Sequence, residues 1–154
     1  MSKRIGLGQR VPEIYKAMSN LHAEVEKAAV DAGLDQKLIE LVKLRASQIN
    51  GCAFCLDMHS HDALELGEQP RRLFVLDAWR ETEFFTEQER AALALTEAMT
   101  RIAALGDVPD DVYAEATRVF SEEQYRAVGW AIIVINSWNR MAITSHSALP
   151  KRDA

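Results

Sequence analysis

The sequence lacks the features that mark secreted and membrane proteins. It contains only two cysteines among 154 residues, too few for a scaffold built on disulfides. No apolar segment follows the opening Met-Ser-Lys-Arg, so we do not expect a secretory signal. The longest near-continuous apolar run, AVGWAIIVI at 127–135, has about half the length that a membrane-spanning helix needs. We therefore expect a cytoplasmic protein with no membrane partner.

An excess of positive charge is also missing. The net charge is −5, and the 18 lysines and arginines are scattered along the chain. Proteins that bind nucleic acid carry a clustered basic patch instead, so nucleic acid is not an expected partner. The apolar fraction of 48% and the charged fraction of 27% are those of an ordinary globular domain.

The alternation of β-branched residues that predicts strands is nearly absent, whereas helix start and stop signals are frequent. We predict helices from Pro12 to Gly33, over 36–50 between Asp35 and Gly51, over 52–66 before Gly67, briefly from Pro70, from the Thr86-x-x-Glu89 capping box to Gly106, over 110–120, and from the Ser121-x-x-Gln124 capping box to about Thr144. The expected fold is therefore all-α, a single compact domain of six to eight helices over 12–150 after an irregular arm over 1–11.

Two predicted helices, near 90–105 and 125–143, are apolar around most of their circumference. Such a helix is buried either within one subunit or between subunits. We expect a subunit interface, with a single monomeric core as the alternative. Trp79, Trp130 and Trp138 stand at helical positions, where we expect core or interface anchors rather than a substrate box.

The two cysteines lie in the segment INGCAFCLDMHSH at 49–61. On a helix at about 100° per residue, Cys52, Cys55 and His59 share one narrow face, and His61 points away from it. A closed zinc site needs four ligands, and the chain has no second C-x-x-C, so we expect no metal. Two ordinary buried cysteines beside a hydrogen-bonded histidine remain the structural alternative.

A redox pair fits this spacing better. Residues i and i+3 at the start of a helix can approach within disulfide range, and the helix N-terminus lowers the pKa of a thiol there. His59 follows Cys55 by one turn, close enough to share a proton with its thiolate. A thioredoxin fold would require a strand before the motif, but the preceding segment is helical. The spacing therefore predicts an active dithiol, Cys52 and Cys55, at the start of a central helix.

Two charged residues of the 36–50 helix have positions that need separate interpretation. Its apolar stripe is centred near Leu38 and Val42, and Glu40 falls with Lys43 on the opposite side, which predicts a solvated carboxylate. Arg45 falls within the apolar stripe. Either its stem lies on the core while its head reaches water, or its guanidinium pairs with a buried carboxylate near the site or across an interface.

The segment ELVKLRASQINGCAFCLDMHSHDALELGE resembles the alkylhydroperoxidase AhpD-like branch of the carboxymuconolactone decarboxylase family. That family's motif is a glutamate, the first cysteine of C-x-x-C twelve positions later, and a histidine four positions after the second cysteine. Glu40, Cys52, Cys55 and His59 match all four positions. INSWNR at 135–140 is similar to the family's closing helix, and the resemblance covers roughly 12–145.

The resemblance implies an all-α homo-oligomer, a trimer or hexamer, that reduces peroxides without a bound cofactor. It implies that Cys55 attacks the hydroperoxide and becomes a sulfenic acid, and that Cys52 resolves this to a disulfide. Glu40 and His59 would form the proton relay. A dithiol reductant, such as a lipoylated protein or a thioredoxin-like protein, would restore the pair. The AhpD type has a second histidine between the cysteines, where this chain has Phe54, so the relay would be shorter or use water.

Two other functions remain open at this point. One is a cofactor-free decarboxylase of the same family, a lyase acting on lactone acids, for which the cysteine pair would be incidental. The other is a non-enzymatic helical oligomer that senses redox state or serves as a scaffold, in which a disulfide forms without turnover.

Overall fold

The helix signals of the sequence recur at the helix ends in the computed structural model, which describes residues 4–8 and 10–151. The elements in chain order are α1 Pro12–Asp31, α2 Gln36–Asn50, α3 Ala53–Glu65, α4 Pro70–Phe74, a 3₁₀ helix Leu76–Glu81, α5 Glu87–Thr100, α6 Ile102–Leu105, α7 Asp110–Val119 and α8 Glu122–Ser145. The described residues contain no strand, so the predicted all-α fold is confirmed. Within the predicted arm, residues 4–8, 10 and 11 are not helical, and residues 1–3 and 9 lie outside the described residues.

The predicted caps form the hydrogen bonds that the helix ends need. Asp35 accepts from the Lys37 amide at 2.9 Å at the start of α2, and Gly51 ends that helix with φ +69°. The two capping boxes, at Thr86 and at Ser121, are complete. Because caps depend on residues only a few positions apart, they are predictable from local sequence.

The boundaries differ from the prediction in two places. The helix expected to run to Gly106 is interrupted at Arg101, whose ψ of 16° is not helical, and so α6 is separate from α5. The 3₁₀ helix Leu76–Glu81 was not predicted, because a short helix of this type carries too few residues to establish a period. None of the helices in the described part of the chain is long and apolar enough to cross a membrane.

Helix α2 runs through the middle of the fold, packed against α3, α5 and α8. Its residues from Leu38 to Ser47 are all buried, so the helix has no solvent face over that length. The prediction of a solvated Glu40 is therefore wrong, since its exposure is only 6%. The polar side of α2 faces α3 and α1 instead of water, because Glu40 contacts His59 of α3 and Lys43 contacts Glu26 of α1.

Three apolar clusters form the core. The largest joins α1, α2, α5, α7 and α8, and the second packs α2 and α3 against the 3₁₀ helix and α5. The third is small and places Cys52 and Cys55 against Ala46 of α2 and against Ile135 and Ala142 of α8. The cysteines therefore lie where α2, α3 and α8 meet.

Arg45 pairs with a buried carboxylate, which decides between its two interpretations. Its Nε donates to Glu97 Oε1 at 2.8 Å, and its Nη1 contacts Asp77. Trp79 Nε1 and Arg80 Nη1 also donate to Glu97, at 3.0 and 2.6 Å. Burial would raise the pKa of Glu97, but these hydrogen bonds and the Arg45 charge outweigh it and hold that pKa below its ordinary value. The cluster joins α2, α5 and the 3₁₀ helix.

Replacing Glu97 with Gln should lower the free energy of unfolding at pH 7 by about 3 kcal/mol, because Arg45 loses its buried counter-charge. The stabilisation by Glu97 is complete above its unfolded pKa of about 4.3 and is lost as the pH falls through its lower folded pKa. The difference in the free energy of unfolding between wild type and Glu97→Gln, measured by urea unfolding, should therefore become smaller towards pH 3. Glu122→Gln, which breaks an exposed pair with Arg126, is the control and should change little. Equal, small losses in both variants would contradict a stabilising role for the cluster.

Candidate active site

The cysteine pair lies at the N-terminus of α3. Cys52 is the residue that caps the helix, with φ −88° and ψ 93°, and Cys55 lies in its first turn. Both are free thiols, and each is 1% exposed. The pair therefore begins a central helix, as the spacing predicts, and both side chains are buried.

A cavity of about 820 Å³ reaches one of the two thiols. Cys55 lines it, together with His59 one turn further along α3, whereas Cys52 is not among its lining residues. Its apolar walls are formed by Tyr15, Phe54, Met58, Trp138, Met141 and Ala142. Of the two thiols, the cavity therefore gives access to Cys55.

Glu40 and His59 are in direct contact beside this cavity. The Nδ1 atom of His59 lies 2.9 Å from Glu40 Oε2, and both side chains are buried. Burial would raise the pKa of Glu40, but the hydrogen bond with His59 and the charge of Lys43 outweigh it and lower that pKa. Glu40 is therefore a carboxylate at neutral pH, and the proton of this contact belongs to His59 Nδ1. The tautomer leaves Nε2 of the neutral ring as its basic nitrogen.

A buried lysine continues this contact across the fold. Lys43 Nζ lies 2.7 Å from Glu40 Oε1 and also contacts Glu26, which lies 3.7 Å from His22 Nε2. Burial would lower the pKa of Lys43, but Glu40 and Glu26 raise it, so Lys43 is an ammonium. The pKa of His22 is lowered, by burial first and then by Lys43, so its ring is neutral at neutral pH. The chain of contacts links two histidines that both line the cavity, His59 and His22.

Sequence reasoning missed three residues of this arrangement. It did not connect His22 or Glu26, both on α1, with the motif. Trp138, interpreted as a core or interface anchor, lines the cavity and lies edge-on to Tyr15, with ring centroids 5.5 Å apart. The only local signal was the placement of Lys43 three residues after Glu40 on one helix face.

The pKa of Cys55 is raised to about 12. Burial is the main cause, and a hydrogen bond with Cys52 adds to it, whereas Asn139 opposes it. The expectation that the helix N-terminus lowers the thiol pKa is therefore wrong for Cys55, because the loss of hydration exceeds the effect of the helix dipole. At neutral pH Cys55 is a thiol that needs a base before it can react.

One group of potential metal ligands occurs among the described residues: Glu40, His59 and Asp62, whose ligand atoms lie within 4.8 Å of one another. Glu40 already accepts from the Lys43 ammonium and from His59. A divalent cation at this point would be repelled by that buried ammonium. Neither cysteine belongs to the group, and we assign no metal to it.

Comparisons with known proteins agree with this fold. The model of the carboxymuconolactone decarboxylase family matches residues 12–98. The uncharacterized protein YdfG of Bacillus subtilis (strain 168) is 41% identical over 143 residues, which is 93% of this chain and 94% of YdfG.

Solved structures extend the likeness to the whole chain. A protein of unknown function from Agrobacterium tumefaciens, described as a candidate AhpD antioxidant defence protein, is 39% identical with a TM-score of 0.89, covering 98% of this chain and 100% of that one. The debrominase Bmp8 has a TM-score of 0.76 at 20% identity, and the match covers 90% of this chain and 72% of the Bmp8 chain. At this identity the likeness shows a shared fold alone.

The raised pKa of Cys55 should make its alkylation slow. In reduced wild-type protein at about pH 8, iodoacetamide should modify Cys55 at least about a hundredfold more slowly than a free cysteine, because so little thiolate is present. The rate should continue to increase above pH 10. Mass spectrometry of timed samples measures it, and the urea-unfolded chain is the control, in which the rate should be ordinary. A rate that levels off below pH 9 would contradict the assignment.

Proposed function

The chain belongs to the carboxymuconolactone decarboxylase family, and from that premise we propose that it is a thiol-dependent peroxidase of the AhpD-like type. One observation carries the proposal: the cavity reaches Cys55 and His59 together, while Cys52 stays behind the cavity wall. This arrangement suits a division of labour in which one thiol meets the substrate and the other meets only its partner cysteine.

The first step needs a base, because Cys55 is protonated at rest. His59 accepts the thiol proton at Nε2 while its Nδ1 keeps its own proton and donates it in a hydrogen bond to Glu40, whose negative charge stabilises the imidazolium. The sulfur forms a bond with the terminal oxygen of the hydroperoxide, and the oxygen–oxygen bond breaks. The departing alkoxide takes the proton from His59 and leaves as an alcohol. Cys55 is thereby oxidised to a sulfenic acid as the peroxide is reduced.

The second step uses Cys52. Its sulfur attacks the sulfenic sulfur of Cys55, water leaves, and a disulfide closes between residues three apart at the helix start. A dithiol reductant, such as a lipoylated or thioredoxin-like protein, returns both thiols by exchange and becomes a disulfide itself. Because each cysteine is only 1% exposed, a reductant that reaches through the cavity on a slender arm suits the site best.

The walls of the cavity favour an organic hydroperoxide over hydrogen peroxide. Aromatic and thioether side chains line the cavity and would stabilise an apolar substituent of the substrate by contact. They belong to Phe54, Met58, Trp138 and Met141. Phe54 replaces the second histidine of the AhpD type with an apolar wall. The substrate we propose is therefore a hydroperoxide with an alkyl or aryl group.

Peroxide turnover and trapping of the sulfenic acid test this function. With dithiothreitol as reductant, wild-type protein should consume cumene hydroperoxide over many turnovers. After treatment with one equivalent of cumene hydroperoxide and then with dimedone, the Cys52→Ser variant should carry the dimedone label on Cys55. The Cys55→Ser variant should carry no label. In the Cys52→Ser background, His59→Ala and Glu40→Gln should slow labelling by about a hundredfold, because the proton then has no positioned acceptor.

The other functions predict different results in the same assay. A decarboxylase would not consume the peroxide, and a redox sensor whose disulfide the reductant does not return to thiols would consume one equivalent and stop. Met141→Leu, which keeps the apolar wall, is the control for loss of activity through a general disturbance of the cavity. A label on Cys52 in the Cys55→Ser protein, and none on Cys55 in its counterpart, would reverse the roles of the thiols.

We also propose that the protein is a homo-oligomer, a trimer or hexamer. Of the two helices predicted to be apolar all round, α5 is covered within the subunit by α2, α7 and α8. Helix α8 keeps an exposed apolar face, with Trp130 50%, Ile133 44% and Ile143 39% exposed. Val30 of α1 adds to the exposed apolar surface. Apolar surface of this kind on the outside of a subunit favours contact with a second copy.

Sedimentation velocity at micromolar concentration should give a species of three or more subunits. Ile133→Glu should dissociate it, because a charge would be buried in the contact. Phe74→Glu is the matched control, since Phe74 is an exposed apolar residue on α4, away from α8. A 17.3 kDa monomer would contradict the proposal, and dissociation by Phe74→Glu alone would place the interface elsewhere.

A further inference from the structure

One polar side chain interrupts the apolar face that α8 turns towards the cysteines. Ile135 and Ala142 of that face pack in the same cluster as Cys52 and Cys55. Asn139 lies between them at helical spacing and is 0% exposed. A buried amide is destabilising unless its donors and acceptor are hydrogen-bonded. Each polar atom of the Asn139 side chain should therefore have a hydrogen-bond partner.

Two hydrogen bonds fix the orientation of the Asn139 amide. Ser47 donates its hydroxyl proton to the carbonyl oxygen of Lys43 at 2.7 Å, so its oxygen can only accept from Asn139 Nδ2, which lies 3.0 Å away. Asn139 Oδ1 accepts from Asn50 Nδ2 at 2.8 Å. Both bonds join Asn139 to α2, and after the bond to Ser47 the Asn139 nitrogen has one N–H left.

The remaining N–H lies near the cysteines, because Ile135 and Ala142, one turn to either side of Asn139 on α8, pack in the same cluster as Cys52 and Cys55. A hydrogen bond from Asn139 acts to lower the pKa of the Cys55 thiol, whereas burial and Cys52 raise it. The titratable groups around Cys55 are Cys52 at the start of α3 and the residues that line the same cavity, which are His59, His22, Tyr15, His146 and Arg4.

We propose that Asn139 is a further catalytic residue, whose second amide proton is donated to the Cys55 sulfur and stabilises the thiolate as its proton moves to His59. The inference rests on the proposed peroxidase function, in which the thiolate is the attacking group. Helix α8 holds the donor rigidly, because Ser47 and Asn50 bind its other two polar positions. A donor fixed in this way needs no rearrangement when the sulfur becomes charged.

A nearby asparagine provides a matched control. Asn136 also accepts from Asn50 Nδ2, at 2.9 Å, but its own nitrogen donates to Thr100 Oγ1 at 3.0 Å. Asn136→Ala and Asn139→Ala therefore both break the buried network at Asn50. Only Asn139→Ala removes the donor to Cys55.

The readout is the rate at which iodoacetamide alkylates Cys55 in the Cys52→Ser background, followed between about pH 7 and pH 10. Asn139→Ala should slow alkylation about tenfold over this range, the size expected for one hydrogen bond to a charged group. Asn136→Ala should alkylate at the parent rate. Equal rates for the two variants, slow or unchanged, would overturn the inference.

Asn139→Asp serves if the alanine variant fails to fold, since it keeps the shape of the side chain but loses both amide protons. It should slow alkylation at least as much, and a parent rate in this variant would also overturn the inference. Alkylation does not require peroxide, so the result is separate from the proposed function. Absence of peroxide turnover in wild-type protein would count against the peroxidase function. The alkylation rates of the Asn139 and Asn136 variants would still test the hydrogen bond to Cys55.

Discussion

The arrangement of the candidate site depends on the buried carboxylate of Glu40. A carboxylate at 6% exposure is stable in the ionised form only because Lys43 and His59 both donate to it. The contact with His59 joins α2 to α3 and sets the tautomer of that histidine, while Lys43 also pairs with Glu26 and so joins α2 to α1. Stability and reactivity thus depend on one group, because removing Glu40 would leave a buried ammonium and an imidazole without their common acceptor.

The central helix carries a second buried ionic cluster on another side. Glu40 and Arg45 are five residues apart, about 140° around α2. Apolar contacts are non-directional, whereas an ion pair requires one particular partner. Arg45 with Glu97 defines how α5 docks, and Glu40 with His59 defines how α3 docks. The cysteine pair is held between these contacts and the apolar face of α8.

Burial gives Cys55 a reactivity that depends on its neighbours. Its raised pKa keeps it protonated, so it is protected from chance modification, and the cavity admits reactants to it beside His59. Asn139 acts in the opposite direction to burial and favours the thiolate. The pKa of Cys55 therefore reflects burial and Cys52, which raise it, against Asn139, which lowers it.

The sequence by itself determined the helices with strong caps and the alignment of Cys52, Cys55 and His59, because these depend on residues within a turn or two of each other. It identified Glu40 only through its spacing from the cysteines, since the helical pattern placed this residue in water. Hydrophobic periodicity marks a solvent side only when a helix has one, and α2 is packed all round. The burial of Glu40, the cavity wall from α1 with His22, the pairing of Arg45 and the amide of Asn139 were decided by tertiary structure alone, because each depends on a side chain that packs there from a distant part of the chain.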